Sequence, residues 1–414
     1  MPTIPSFDIA TDLKVEFYLP DEASNLFIIG ISRIGGDDVL AGAGLFTIGV
    51  SELGGDDLLG DNEFIAFTWQ DLGCIISQAR LTIGGSVEDQ LYFQPQPASA
   101  QMVLQSLNYD PTYNSAFRPG VPVRVRLAKG AVDQIIWSGV IDSIDTTFDQ
   151  DGNNLMKLVA FDSFKRLVNT RIASFDTDTG FPGFVTPYEQ LEIIASEFGT
   201  DMSASSIDPG GEIPGVVLTD VIPSPLVYEA IQVGLAIFWI DPVTQEFVLI
   251  PRPTSVTATG STPVIGNNHG EANHLCMTNI EASSSENTVY NSLKVILESD
   301  DTISTLRENT DSIQLYGRYA QDVTLNTTDL DELNRWADAV FQQSATALVS
   351  QVETLTKDRQ GDLTEAAFFT PGQVVGVNYS NGVISIDDYF TTTKVSHFID
   401  PDNWLTTLEV WKEA

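Results

Sequence analysis

Short runs that alternate apolar and polar positions outnumber helical periodicities along this chain, so strands dominate. Val123-Arg124-Val125-Arg126-Leu127 has the period of two expected of a sheet with one wet face. Lys129-Gly130 turns the chain into Ile135 to Ile141, and the polar run 149–154 turns it again into Leu155 to Phe161. This region reads as a meander closing a small barrel or sandwich. A short helix is expected at Asp162 to Val168, with Asp162 placed to cap it.

Helical signals come next. Thr186-Pro187-Tyr188-Glu189 combines a capping box with proline at the first helical position, and Leu191, Ile194, Ala195 and Phe198 fall on one face before Gly199. Ser224-Pro225 to Glu229 repeats the device ahead of Ala230, Ile231 and Val233. Ile237 to Ile240 and Phe247 to Ile250 then frame a polar tip, the pattern of a hairpin. Residues 254–271 are rich in Ser, Thr, Gly and Pro and read as a linker. Beyond it, Thr288 to Leu297 and Ile313 to Leu325 read as strands, and Thr328 with Asp331 opens the longest helix, striped by Leu330, Leu333, Trp336, Ala337, Val340 and Phe341. Strands at Val374 to Tyr379, Val383 to Ile386 and Leu405 to Trp411 close the chain, the first two joined by Asn381-Gly382.

The expected fold class is therefore α+β, predominantly β, with two β-barrel or sandwich-like domains flanking a small α+β domain. Expected boundaries are an acidic β-repeat or N-terminal extension at 1–66 and a first β-barrel-like domain at 67–169. A small α+β domain follows at 170–259, then a second β-rich domain with one long helix at 260–414. Within the first stretch, Ile29 to Leu40 recurs 19 residues later as Ile48 to Leu59, each copy carrying a Gly-Gly-Asp-Asp turn. Two copies are too few for a solenoid.

Charge changes the picture. The 414 residues hold 57 Asp and Glu against 20 Lys and Arg, a net charge of −37, while 43% of positions are hydrophobic. That composition packs cores and is not a disordered acidic tail. So acidic a body does not wrap nucleic acid through a basic face. No apolar run reaches the roughly 20 residues needed to span a bilayer. The N-terminus lacks the regions of a secretion signal, so folding in a cytoplasm is expected. Cys74 and Cys276 lie in apolar contexts without ligand spacing and read as buried free thiols.

Candidate chemistry is sparse. Asp37, Asp38, Asp56 and Asp57 in the repeated turns are weak calcium candidates, since they lack the spaced ligand series of an EF-hand and turn chemistry explains them. His269, His274 and His397 form no HExxH motif and read as structural or solvated. No nucleophile elbow, phosphate loop or dinucleotide fingerprint occurs. With 57 acids some carboxylate pairs lie close by number alone, and the roughly 5 to 9.5 Å spacing of a glycosidase pair is not written in a sequence. The expectation is a protein without catalytic residues, cofactor or resident metal. The cations cluster: eight of the 20 lie between Arg118 and Arg171, against three in the first 117 residues. Arg118, Arg124, Arg126, Lys129, Lys165 and Arg166 are interface candidates, either a solvated sheet face or a patch docking on the acid-rich part of a neighbour.

The order of segments resembles the minor tail and baseplate-hub (tail tip hub) proteins of tailed bacteriophages. Three stretches carry the likeness across roughly residues 70 to 412. The first runs from Ile76 to Leu104, through Asn108-Tyr109-Asp110-Pro111, Arg118-Pro119-Gly120-Val121-Pro122-Val123-Arg124-Val125 and Ile136 to Asp142, to Ala160-Phe161-Asp162. The second is the helical inset and its hairpin, ending Phe247 to Pro253. The third is Thr370 to Val375 with Val395 to Leu408. The acidic repeat before residue 66 departs from the compact family core.

The resemblance implies a structural virion protein of the tail tip, a homotrimer whose paired β-domains build a pseudo-sixfold hub ring continuing the tail tube. Its implied partners are tail tube and distal tail proteins on one side and tail fibre or tip proteins on the other. DNA would pass transiently during genome ejection without specific binding. The implied location is the virion tail, after assembly in the host cytoplasm. The alternative is a receptor- or carbohydrate-binding tail-tip protein whose N-terminal repeat meets the host surface. A calcium-dependent or hydrolytic extracellular module is the third reading.

Overall fold

The computed structural model describes residue 4 and residues 6–20, 67–88, 92–106, 118–148, 154–178, 183–252, 261–267, 274–283, 291–341, 348–358, 360–382 and 385–412. A one-turn helix α1 (Ile9–Asp12) leads into β1 (Leu13–Pro20), where Leu13, Val15, Phe17 and Leu19 alternate onto the buried face. Next come β2 (Phe67–Asp71), β3 (Ile75–Glu88), β4 (Tyr92–Pro95), β5 (Ser99–Ser106), β6 (Pro122–Lys129), β7 (Val132–Phe148) and β8 (Asn154–Phe161). Their hydrogen-bonded order is β2-β1-β6-β7-β8-β5-β3, with β4 paired on β3. The expected meander is β6-β7-β8. Its inner face packs with α1 into one core that holds Val123, Val125, Leu127, Trp137 and Ile141.

The helical stretch begins with α2 (Phe164–Asn169), β9 (Ile172–Asp176) and β10 (Phe184–Val185). It continues through α3 (Pro187–Glu197), β11 (Ile213–Pro214), β12 (Val217–Val221), α4 (Ser224–Gly234), and the hairpin β13 (Ala236–Ile240) and β14 (Phe247–Pro251). The capping box of α3 forms: the Glu189 N–H donates to the Thr186 hydroxyl at 3.2 Å and the Thr186 N–H to the Glu189 carboxylate at 2.8 Å. The second device does not repeat it. Ser224 lies inside α4, whose cap is Pro223 without a side-chain bond, and Glu229 instead accepts from Gln190 at 3.0 Å.

After β15 (Val264–Gly266) and β16 (His274–Ser283) come β17 (Ser292–Leu297), β18 (Asp300–Glu308), α5 (Thr310–Tyr316), β19 (Ala320–Leu325) and α6 (Leu330–Phe341). The expected strand at Ile313 to Leu325 is therefore half helix. The Asn309 side chain accepts from the Ser312 N–H and starts α5, and Gly317 at φ +83 stops it. Asp329, one residue past the expected cap, accepts from the N–H groups of Asp331 and Glu332 at the start of α6. Apolar side chains of β17, β19 and α6 share one core with those of α2 to β14, so this cluster joins residues on both sides of the linker near 260. Trp336 Nε1 donates to Gln232 O at 2.7 Å and Arg335 to Val233 O at 3.2 Å, so α6 side chains bond to carbonyls of the last turn of α4.

Strands β20 (Leu348–Leu355), β21 (Val374–Ser380), β22 (Ser385–Ile399) and β23 (Trp404–Lys412) complete the chain. The order β22-β21-β15-β16-β20-β23, with β22 paired again on β23, closes a six-stranded ring. The fold is thus predominantly β, with few helices and one closed barrel. Strand β22 serves both sheets: it pairs β21 over 385–391 and β3 over 394–399. It gives Phe390 and Val395 to the ring core and Ile399 to the first core. A register shift at Thr393 bends the strand where it changes partner.

Gly84 on β3 faces that bend at φ +96, and a Cβ there would lie 2.3 Å from Thr393 O and 2.8 Å from Pro371. Gly84→Ala is expected to cost about 3 kcal/mol through overpacking and backbone strain. Gly130→Ala, at φ +61 with open space around it, should cost only about 1 kcal/mol. Urea unfolding of both variants measures the difference, and equal costs would refute the constraint placed on the seam.

Candidate functional site

The cation patch sits on the outer face of β1 and β6. Cross-strand register sets Glu16 opposite Arg124 and Lys14 opposite Arg126. Glu16, with a side chain only 6% exposed, accepts from Arg124 Nε at 2.6 Å and from Arg126 at 2.8 Å. Arg126 also grips Asp133 through two bonds of 2.6 and 2.5 Å. The Asp133 bond and then the Glu16 bond raise the Arg126 pKa well above its ordinary value, and the same guanidinium lowers that of Asp133. Lys129 pairs with Asp12 at 2.7 Å and lies 5.9 Å over the Phe7 ring. Arg124, Arg126 and Lys129 are thus neutralised within the chain. Arg118 is exposed, Lys165 lies 4.3 Å over the Phe161 ring, and Arg166 is exposed 5.8 Å over Phe198. Among the described residues none of these three joins an ion pair.

Beside this layer a cleft of about 410 Å³ opens between β6 and β7, α2 and the tip of the β13–β14 hairpin. Arg124 stacks 4.3 Å over Trp69 on one side and Arg166 lies on the other. The hairpin tip is pinned. Ser138 on β7 donates to Pro242 O, Gln245 Nε2 donates to the Ser138 hydroxyl at 2.7 Å, and Thr200 donates to Gln245 O at 2.9 Å. Asp241 turns inward and accepts from the N–H groups of Val243 and Thr244, and Gln245 holds φ +62. The cleft wall is therefore organised in advance.

Two buried titratable groups lie nearby or at the seam. Asp162 is expected as the cap of α2, but the cap position is Ser163 and the Asp162 carboxylate accepts from the Phe164 N–H at 3.2 Å. Burial lifts its pKa from 3.8 up to about 7, against opposing backbone hydrogen bonds. His397 sits on β22 between the two cores, where Trp404 Nε1 donates to its Nδ1 at 3.2 Å and Thr406 lies 2.8 Å away. Burial lowers its pKa from 6.5 to about 4.

Asp37, Asp38, Asp56, Asp57 and His269 fall outside the described residues, and among the described residues no three His, Cys, Asp or Glu side chains converge as metal ligands. Both cysteines are free thiols, but only Cys74 is buried; Cys276, expected buried, is half-buried. Among the described residues no helix is long and apolar enough to cross a membrane. Glu16, the hub of the cation layer, carries a legible signal, since Leu13-Lys14-Val15-Glu16-Phe17 alternates like a strand; its pairing with arginines 108 and 110 residues away does not.

No family model matches the sequence, and no curated protein matches it. Among solved structures, a tail protein from Neisseria meningitidis superimposes with a TM-score of 0.57 at 12% identity, covering 84% of this chain and 94% of that one. The 43 kDa tail protein of prophage MuSo2 from Shewanella oneidensis superimposes with a TM-score of 0.55 at 13% identity, covering 83% and 95%. At these identities the likeness is one of fold. The chain is folded as these tail proteins are, and the resemblance drawn from the sequence holds at that level.

Glu16→Ala leaves two guanidinium groups beside a cavity and should cost about 2–3 kcal/mol, a buried-pair loss reduced because the arginines keep some water. Asp133→Ala, at an exposed position, should leave stability nearly unchanged. Chemical denaturation checks both, and a neutral Glu16→Ala would show the layer to be ornamental. The buried acid and base oppose each other in pH. Asp162, raised, adds stability below about pH 4 that is lost as pH climbs through 7. His397, lowered, adds stability above about pH 6.5 that is lost as pH falls through 4. Relative to the parent protein, Asp162→Asn should therefore lose stability more steeply on acidification, and His397→Gln should lose it less steeply. Melting temperatures from pH 4 to 7 read the two slopes; parallel profiles for all three proteins would exclude the effect.

Proposed function

We propose that this chain is a structural component of a bacteriophage tail tip: a homotrimeric hub whose two β-rich units per chain build a pseudo-sixfold ring continuing the tail tube. The observation that carries this reading is the tail-protein fold extending over 84% of the chain, together with a sheet that ties two strand-built units side by side through β3 and β22. Three such chains supply six units. The units proposed are 67–169 and 260–414, with 170–259 between them and 1–66 as an N-terminal stretch whose α1 and β1 pack into the first unit. Tube and distal tail proteins would meet one side of the ring and fibre or tip proteins the other, in the virion tail, after assembly in the host cytoplasm.

The charge supports passage of DNA without binding. Retaining a duplex requires cations at its phosphates. This chain has a net charge of −37 and pairs Arg124, Arg126, Lys129, Arg307 and Lys394 with its own carboxylates. A bore built from such a surface repels a polyanion along its length. Purified chain, alone and mixed with tube protein, should give threefold rings by sedimentation and negative-stain imaging and should not retain duplex DNA on a filter at physiological salt. A protein that remains monomeric in both settings would overturn the reading, and DNA retention would overturn the acidic bore.

A further inference from the structure

The cleft beside the cation layer is an electrostatic exception. In a chain with 57 acidic residues among 414, its lining holds no carboxylate residue but two arginines, Arg124, whose charge Glu16 behind it balances, and Arg166. Arg166 is exposed and, among the described residues, free of any ion pair. The remaining wall mixes the polar groups Ser138, Ser163, Thr200, Thr244 and Gln245 with aromatic and aliphatic ones: Trp69 under Arg124, Phe198 under Arg166, and Val243, 55% exposed at the pinned hairpin tip. Arginine over aromatic rings beside an exposed aliphatic residue is the composition that concentrates binding energy at protein interfaces. Because the tip is already tied to Ser138 and Thr200, little ordering entropy is left to lose on association.

We propose that this cleft is the receiving half of a head-to-tail contact between two copies of this chain, taking an acid-framed apolar surface of the neighbour against Trp69, Arg166 and Val243. The proposal rests on the ring reading above and names where the ring closes. A second copy is the occupant because its charge is complementary: a body of net charge −37 presents carboxylates to a site whose Arg166 has no ion pair among the described residues. Surfaces of the required kind exist on it, such as Leu330, 44% exposed between Asp329 and Asp331, and Tyr389, 37% exposed beside Asp387 and Asp388. Cleft and acidic surface are different patches, so the contact is heterologous, and heterologous contacts close into rings when the rotation permits.

The test is sedimentation velocity of the full chain under the conditions in which it assembles, with Arg166→Glu, Arg166→Lys and Val243→Asp. Both positions are exposed, and unchanged circular dichroism and melting temperature verify the fold. Arg166→Glu and Val243→Asp should each weaken assembly about tenfold or more. Arg166→Lys should keep most of it, and added salt should weaken the parent assembly. Assembly of the two disruptive variants at parental strength would overturn the cleft contact while leaving the ring reading intact. A parent chain that never assembles would take down both.

Discussion

One strand pairing holds this architecture together. Residues 394–399 of β22 pair antiparallel with residues 79–84 of β3, and the same β22 pairs β23 within the closed ring. A strand with a sheet on both edges cannot slip by one residue without turning every side chain to the opposite face. At this strand a slip would expose Val395 and Ile399 and break two cores. The bend at Thr393 lets β22 leave β21 and reach β3, and Gly84 supplies the missing side chain that the bulged carbonyl requires. Position, bend and glycine form one constraint.

The seam is polar as well as apolar, which explains its chemistry. Thr354, Thr356, Thr391, Thr392, Thr393 and Thr406 are all buried around β20, β22 and β23. Their branched side chains suit a strand, while several hydroxyls find partners: Thr354 donates to Cys276 O at 2.9 Å, Thr393 to Glu409 O at 3.2 Å and Thr406 to Ala366 O at 3.3 Å. His397 belongs to this network as a neutral ring. Charging it would place an ion between two apolar cores without a counter-charge, which is the physical content of its depressed pKa.

Local signals in the sequence were legible where a single turn or helix decides the structure. The capping box at Thr186, the hairpin around Asp241 and the β6-β7-β8 meander depend on neighbours a few residues away. The stretch 385–399 was legible only in its first residues, because Thr391-Thr392-Thr393 is polar and lacks alternation; only the tertiary partners of those hydroxyls make it a buried strand. Ile313 to Tyr316 reads as a strand in the sequence because a mostly apolar stretch this short fits strand or helix equally, and the Asn309 cap decides for helix. For the site, the cluster of cations was visible, but its neutralisation was not. Glu16 lies more than a hundred residues from Arg124, and only the β1–β6 register brings them together.

That neutralisation also sets the sign of the molecule's outer field. Each internal pair removes one cation from a small supply and one carboxylate from a large one, so the carboxylates left over dominate the surface. A chain built this way has little basic surface to offer phosphate, whatever its fold. The same arithmetic makes a cleft that presents Arg166 without an ion pair among the described residues stand out far more than it would on a neutral protein, because attraction for an acidic neighbour there is opposed by repulsion over most of the surface. Repulsion over most of the surface and attraction at one place is how a strongly charged protein selects a single orientation for its copies, since wrong juxtapositions bring like charges together. The scarcity of cations, rather than their clustering along the sequence, gives the few exposed ones their significance.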